Sequence, residues 1–118
     1  MALTKYHNIV GSGAREKELV GVNDLGKSKI RGIRITNIHT TDDATINLYF
    51  YKPSTDTTDE ETYYILFQYA LGEKTSIDVS TGLSLDTQDH GLFNFDNSTY
   101  ALFMDIGSGD TVDVLIHT

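Results

Sequence analysis

Residues 86–91 hold the side chains best suited to chemistry. Asp86, Asp89 and His90 lie within five positions of one another, and a glycine follows them. Carboxylate oxygens with one imidazole can bind calcium or another divalent ion. The spacing is neither that of an EF-hand loop nor that of a zinc protease. We therefore expect no obligatory cofactor and retain these three residues as a candidate calcium site, with an ordinary solvated loop as the alternative.

Catalytic groups elsewhere lack the neighbours that catalysis requires. A hydrolytic triad needs a nucleophile, a histidine and an orienting acid within hydrogen-bond reach. The chain has no cysteine, none of its serines lies in a Gly-x-Ser-x-Gly segment, and its four histidines are scattered along the sequence. Acidic pairs are too common in this composition to mark a glycosidase site. We therefore expect no enzymatic activity.

Tyrosines are the second group of candidates. Tyr49 and Tyr51 alternate with aliphatic residues, so they share the face opposite to them. Tyr63 and Tyr69 are predicted to share one face of a later strand, on either side of Phe67. Exposed rings on a sheet can stack on sugars or anchor a protein contact, while burial between sheets or subunits fits the same pattern. These four tyrosines are therefore candidates for a subunit interface or a ligand platform.

Charge is distributed unevenly along the chain. Nine basic and 17 acidic residues give a net charge of −8, but residues 1–34 carry a net +4 and residues 35–118 a net −12. Duplex nucleic acid is not an expected partner, because that affinity comes largely from phosphate neutralisation by Lys and Arg. The asymmetry can orient the protein on an acidic partner or align neighbouring copies, or it can be an uneven solvated surface.

Alternation of apolar and polar residues with a period of two predicts strands over most of the chain. Residues 29–39 and 44–52 predict a β-hairpin around a polar turn, and Pro53 ends its second strand. Residues 62–70 predict a strand that is apolar on both faces, which we expect at the centre of a sheet or at a contact with another subunit. Further strands are predicted at residues 16–22, 74–79, 82–85, 92–95, 99–106 and 111–117.

Short strands separated by turn residues, with no convincing helix, indicate an all-β fold. We predict an antiparallel two-sheet β-sandwich of about eight strands, jelly-roll-like in its organisation. A chain of 118 residues makes one domain, here residues 16–118, preceded by an N-terminal arm at residues 1–15 that can form an edge strand. The absence of cysteine and of long apolar stretches predicts assembly in a reducing cytoplasm and no membrane span.

Five strand segments together carry a family resemblance. They are KIRGIRITN (29–37), ATINLYFY (44–51), YYILF (63–67), YALFMDI (100–106) and VDVLI (112–116). Their order resembles that of small β-sandwich virion structural proteins of tailed bacteriophages, of the head-decoration, neck or fibre-associated type. The resemblance covers residues 16–117 and includes no catalytic signature.

The resemblance implies a mechanical role. It implies a non-enzymatic virion component, assembled in the host cytoplasm, that self-associates as a homotrimer and decorates or stabilises the capsid or tail surface beside other virion proteins. The basic residues Lys27, Lys29, Arg31 and Arg34 would then dock on an acidic capsid shell. The alternative from the residues alone is a carbohydrate-binding β-sandwich module with a glycan as partner, assisted by calcium at residues 86–90. Neither hypothesis involves nucleic acid or a membrane.

Overall fold

Eight β-strands account for the regular structure of the residues that the structure describes. The structure, a computed structural model, describes residues 3–11, 17–25, 30–80, 97 and 99–118. The strands are β1 (Leu3–Val10), β2 (Lys17–Val20), β3 (Gly32–Asn37), β4 (Ala44–Lys52), β5 (Glu61–Leu71), β6 (Ser76–Ser80), β7 (Ala101–Ile106) and β8 (Thr111–His117). These described residues contain no helix, and hence none long and apolar enough to cross a membrane.

The strands form two four-stranded sheets whose order is that of a jelly roll. Sheet 1 has the order β1-β8-β3-β6, and sheet 2 has the order β2-β7-β4-β5. All of these strand pairs are antiparallel. The chain thus folds as a long hairpin, in which β1 pairs with β8, β2 with β7, β3 with β6 and β4 with β5, and successive pairs lie in opposite sheets. The predicted jelly-roll-like antiparallel sandwich is confirmed.

Alternation along the central strands builds the core between the sheets. Ile33 and Ile35 of β3 and Ile46 and Leu48 of β4 are buried, as the sequence predicts. Strands β7 and β8 add Leu102, Met104, Val112, Val114 and Ile116. Burial of one such side chain contributes roughly 1.5–3 kcal/mol. These rows therefore fix which side chains of each strand point inward and, by alternation, which point outward.

The predicted hairpin of residues 29–39 and 44–52 is wrong, although both of its strands exist. β3 lies in sheet 1 between β8 and β6, whereas β4 lies in sheet 2 between β7 and β5. Residues 38–43 cross from one sheet to the other. Alternation identifies a strand with one buried face but not its neighbour, because the inner faces of both sheets meet in the same core.

Strand β5 is also placed differently from the prediction. It is the edge strand of sheet 2, so the predicted position at the centre of a sheet is wrong. Its pairing with β4 shifts register at two points, and at each of them β5 carries one extra residue, which is a β-bulge. Each bulge reverses the alternation of side chains along the strand.

Residues of the predicted N-terminal arm form an edge of sheet 1. β1 pairs with β8 along its length, with a register shift between Tyr6 and Ile9. Tyr6 and Ile9 pack against the core, while most of the strand is exposed. The division into an arm at residues 1–15 and a domain at residues 16–118 stays a prediction.

Other predicted strands are confirmed where the structure describes them. β2, β6, β7 and β8 lie within or close to the strands predicted from alternation, and Pro53 follows the last residue of β4. The strands predicted at residues 82–85 and 92–95 lie outside the described residues.

Asn37, at the end of β3, is a fully buried polar residue that fixes the crossing to β4. Its side-chain amide nitrogen donates to the carbonyl oxygens of Asp42 (2.9 Å) and Leu71 (3.0 Å). Its side-chain oxygen accepts the backbone N–H of His39 at 2.9 Å. These three bonds tie the crossing segment to the end of β5, and a buried amide is tolerated because its partners are all present.

Replacement of Asn37 should destabilise the fold strongly. We expect Asn37→Ala to lower the free energy of unfolding by about 2–4 kcal/mol, because the Leu71 carbonyl and the His39 N–H lose their partner. Urea denaturation followed by circular dichroism measures the difference. The matched control is Thr36→Ala, the preceding residue of the strand, which should cost no more than about 1 kcal/mol. Equal losses for the two variants would contradict the role assigned to Asn37.

Candidate functional site

The outer face of sheet 2 carries a cluster of aromatic rings, which we call the aromatic face. β4 buries its aliphatic side chains in the core, so Tyr49 and Tyr51 point away from it. The residues opposite Tyr49 on the neighbouring strands are Tyr64 of β5 and Phe103 of β7. Phe67 of β5 packs on Tyr64. These five residues are the aromatic face.

Each ring of the aromatic face touches at least one other. Ring centroids are 4.8 Å apart for Phe67 and Tyr64, 5.4 Å for Tyr64 and Tyr49, 6.0 Å for Tyr49 and Phe103, and 5.4 Å for Phe103 and Tyr51. The Tyr49 and Phe103 rings are nearly parallel (13°), while Phe67 and Tyr64 meet edge to face (70°). Aromatic pairs prefer such arrangements, at about 0.5–1.5 kcal/mol each. The rings are therefore a preorganised row across three strands.

Exposure divides the aromatic face into a covered centre and an exposed ridge. Tyr49 is only 6% exposed although it points away from the core, because it packs against Tyr64 and Phe103. Tyr64 and Phe67 are 52% and 61% exposed. Neighbouring exposed rings mark contact sites more often than single scattered apolar residues do. The ridge, defined as Tyr64 and Phe67, is therefore the part of the face that a partner would meet.

Two bulges in β5 create the ridge. The register against β4 skips one residue between Tyr64 and Leu66 and another between Leu66 and Tyr69. Leu66 packs against the core, while Tyr64 lies on the outer face. At the second bulge Gln68 has a φ of 50°, and its backbone N–H donates to Oδ1 of Asn47 at 2.7 Å. Asn47 of β4 thus holds the bulge next to the ridge.

Of the four tyrosines predicted for an interface or a ligand platform, two lie together. Tyr49 and Tyr51 share the face opposite the aliphatic residues, as predicted, and belong to the aromatic face. Tyr63 contacts Tyr100 instead, with ring centroids 5.9 Å apart. Tyr69 is 38% exposed and makes no ring contact with a described residue. The role of these tyrosines as a site stays a prediction.

Alternation in the sequence does not predict three members of the aromatic face, Tyr64, Phe67 and Phe103. Strict alternation groups Phe67 with Tyr63 and Tyr69 and places Tyr64 on the other side, and the contact between Phe67 and Tyr64 shows that this grouping is wrong. Phe103 is found only once β4 is known to pair with β7. The bulges begin within the run YYILF, whose consecutive apolar residues fit a regular strand with two apolar faces equally well.

A polar cluster lies where β4 ends and β5 begins. Glu61 accepts hydrogen bonds from the hydroxyls of Tyr63 (2.5 Å) and Tyr100 (3.2 Å) and forms an ion pair with Lys52. The Lys52 ammonium, followed by the Tyr63 hydroxyl, lowers the pKa of Glu61 to about 2. The Glu61 carboxylate in turn raises the pKa of Tyr63 to about 12. Glu61 therefore stays ionised and joins β4 and β5 to the start of β7.

Of the basic residues predicted for docking, Arg31 and Arg34 are described, and Lys27 and Lys29 lie outside the described residues. Arg34 binds Asp78 at two points, with Nε–Oδ1 at 2.7 Å and Nη2–Oδ2 at 3.0 Å. This pairing raises the pKa of Arg34 and lowers that of Asp78. Arg31 is exposed and forms no ion pair with a described residue. The docking role of these residues stays a prediction.

The candidate calcium site lies outside the described residues, since Asp86, Asp89 and His90 all do. Within the described part of the chain, no group of three or more His, Asp or Glu side chains could hold a metal ion. The calcium hypothesis therefore stays a prediction.

A segment that begins at Gly21, GVNDLGKS, has the residue spacing of a phosphate-binding loop. Such a loop joins a strand to a helix and offers free backbone N–H groups to the phosphates. Here the N–H of Gly21 donates to the carboxylate of Asp24 at 2.9 Å, and those of Asn23 and Leu25 donate to Asn97. Gly26, Lys27 and Ser28 lie outside the described residues, and the next described element is the strand β3. We therefore assign no nucleotide site to this segment.

Comparisons with known proteins leave the function to be argued from the residues themselves. No protein-family model, curated protein or solved structure matches the chain. The aromatic face contains Phe67, the most exposed large apolar side chain among the described residues, next to the half-exposed Tyr64. We therefore take the aromatic face as the candidate functional site.

The Glu61 cluster predicts an acid dependence of stability. The pKa of Glu61 is about 2 in the folded protein against an ordinary value of 4.5, so its contribution is fully present above pH 4.5 and is lost as the pH falls through about 2. We expect Glu61→Gln to be less stable than wild type at neutral pH, with a difference that shrinks below pH 4.5. Urea denaturation of both proteins at a series of pH values measures this.

The matched control for this prediction is Glu73→Gln, in an exposed turn and without an ion pair to a described residue. It should track the wild-type protein over the whole pH range. A stability difference between wild type and Glu61→Gln that stays constant into the acid range would contradict the assigned role of the carboxylate.

Proposed function

We propose that this protein is a non-enzymatic structural component of a tailed-bacteriophage virion, which self-associates through the aromatic face and decorates or stabilises the capsid or tail surface. The observation that carries the proposal is the exposed ridge of Tyr64 and Phe67 on the outer face of sheet 2. Two neighbouring aromatic side chains buried against another copy would remove a contiguous apolar surface from water. Aromatic residues are enriched among the anchors of protein interfaces.

The order of the strands is compatible with a virion role, since viral capsid proteins share it, but it does not by itself select that role. Jelly rolls occur in viral capsid proteins, and also in lectins and cupins. Because unrelated functions share one fold, the choice among them has to come from the site. The resemblance of the strand segments to phage virion proteins favours the first class, and the exposed aromatic ridge fits it.

The edge of sheet 2 favours association by the face rather than by addition of a strand. β5 is an 11-residue edge strand, long enough to pair with a strand of another copy. Its two bulges and the positive φ of Gln68 interrupt the row of backbone groups that such pairing needs. Proteins commonly protect exposed edges by this means. Side-chain contacts through the aromatic face are therefore the favoured route to an oligomer.

We further propose that the oligomer is a closed homotrimer. Copies of one chain assemble most often with closed point-group symmetry. In a ring, the ridge of each copy meets a different part of the neighbour's surface, which is a heterologous contact that closes after three copies. Size-exclusion chromatography with light scattering should give the mass of a trimer, with or without a calcium chelator. If the protein is found only outside purified virus particles, the virion role is contradicted.

Removal of the ridge should dissociate the oligomer without unfolding the chain. We expect the double variant Tyr64→Ser/Phe67→Ser to weaken self-association by about 30-fold or more, since one interface anchor is worth about 2 kcal/mol or more and the losses of adjacent anchors do not add. Light scattering over a range of concentrations measures this, and circular dichroism checks the fold. The control is Tyr69→Ser, on the same strand and also exposed. A double variant that keeps the wild-type mass, or a control that dissociates equally, would contradict the assignment.

A second candidate function is carbohydrate binding. It is favoured by a hydrogen-bond acceptor, the Glu60 carboxylate, that lies beside the rings of the aromatic face. The hydroxyl of Tyr51 donates to a carboxylate oxygen of Glu60 at 3.0 Å, next to a face on which a sugar ring can stack. A glycan array probed with and without calcium tests this candidate. Hits that disappear in Tyr64→Ser/Phe67→Ser would favour it, and an array without hits in both conditions would reject it.

A further inference from the structure

The outer face of sheet 1, on the side of the sandwich opposite the aromatic face, contains a hollow of about 610 Å³. Gly32, the first residue of β3, forms part of its lining, and a Cβ atom added to it would meet no other atom within 4 Å. Glycine weakens a strand because it packs no side chain and loses more freedom on folding. Here the absent side chain leaves room on the sheet for a group from outside.

The walls of the hollow combine apolar side chains with a planar ion pair. Leu3 of β1 and Leu115 of β8 line one side, and they are 50% and 37% exposed. Arg34 of β3 and Asp78 of β6 line the other side, held flat against each other by their two-point contact. A guanidinium fixed in this way offers a planar surface on which an aromatic ring stacks. An aromatic side chain fits this combination.

Two exposed basic residues are neighbours of residues that line the hollow, although the protein carries a net charge of −8. Lys5 of β1 lies directly opposite Leu115 on the same face, and Arg31 immediately precedes Gly32. Both cations are exposed, and neither forms an ion pair with a described residue. Exposed cations beside an apolar hollow favour a partner that places carboxylates around its anchoring side chain.

We propose that this hollow is a docking socket for a partner protein that inserts one aromatic side chain flanked by acidic residues. The two leucines pack against the inserted ring, the Arg34–Asp78 pair stacks on it, and Lys5 and Arg31 attract the flanking carboxylates. The inference extends the proposed function, because it gives the chemistry of the surface on which the subunit sits. The inference depends on the proposed virion role in one respect, namely that the partner is another virion protein.

The substitution Gly32→Val tests the socket without disturbing the fold. The added side chain has open space around it, Gly32 does not have a left-handed backbone conformation, and β-branched residues suit strands. We expect the variant to unfold at the same or a higher temperature than wild type while its new side chain fills the hollow. Thr36→Val is the matched control, because it places a valine in the same strand, four residues further on and outside the lining.

The probe is a short synthetic peptide, Asp-Glu-Phe-Glu-Asp, titrated into isotope-labelled protein and followed by NMR. We expect chemical-shift changes at the amides of Gly32, Leu115 and their neighbours. Binding should weaken about tenfold or more in Gly32→Val and stay at the wild-type value in Thr36→Val. A peptide with lysine in place of the acidic residues should bind more weakly than the acidic one.

Three results would overturn the socket: no shift changes around Gly32, equal binding to Gly32→Val, or equal binding of the lysine peptide. Shift changes confined to Tyr64 and Phe67 would overturn it as well, since they would move the contact to the other sheet. The mass of the oligomer is measured separately. A monomer that still binds the peptide through Gly32 would overturn the proposed self-association and leave the socket standing.

Discussion

Burial of two aliphatic inner faces against each other is the interaction on which the rest of the structure depends. Isoleucine, leucine and valine occupy the inward positions of the central strands, so the side chains between them must point outward whatever their chemistry. This places Tyr49 and Tyr51 on the outer face of sheet 2, and Arg34 on that of sheet 1. A slip of one residue would exchange inward and outward positions. Both candidate surfaces therefore depend on the register that the core imposes.

Strand β5 departs from simple alternation, and the departure produces the candidate site. Tyr64 and Phe67 are three residues apart, so in a regular strand their side chains would lie on opposite faces. The extra residue at a bulge brings both rings to the outer face, where their centroids are 4.8 Å apart. The bulges also interrupt the edge of the sheet. One local irregularity thus exposes the ridge and disfavours the competing contact by strand addition.

The fold class was predictable from the sequence, and the pairing of strands was not. Alternation is a local property, so it locates the strands and the inward position of Ile33, Ile35, Ile46 and Leu48. Pairing depends on residues distant in sequence, which is why β3 and β4 were predicted as one hairpin although they lie in different sheets. Alternation alone predicts that Tyr49 and Tyr51 share the outer face. Assigning Phe103 to that face, or locating the hollow at Gly32, requires knowledge of which strands are neighbours.

The aromatic face and the hollow lie on different sheets, so one can be occupied while the other is used. A subunit that both self-associates and attaches to a surface needs two contacts that do not compete. Their chemistry suits these separate tasks. Copies with a net charge of −8 repel one another at long range, so the proposed self-association requires apolar burial, for which the exposed Tyr64–Phe67 ridge offers a surface. The proposed attachment to an acidic partner instead needs positive charge, which the exposed Lys5 and Arg31, neighbours of residues that line the hollow, offer.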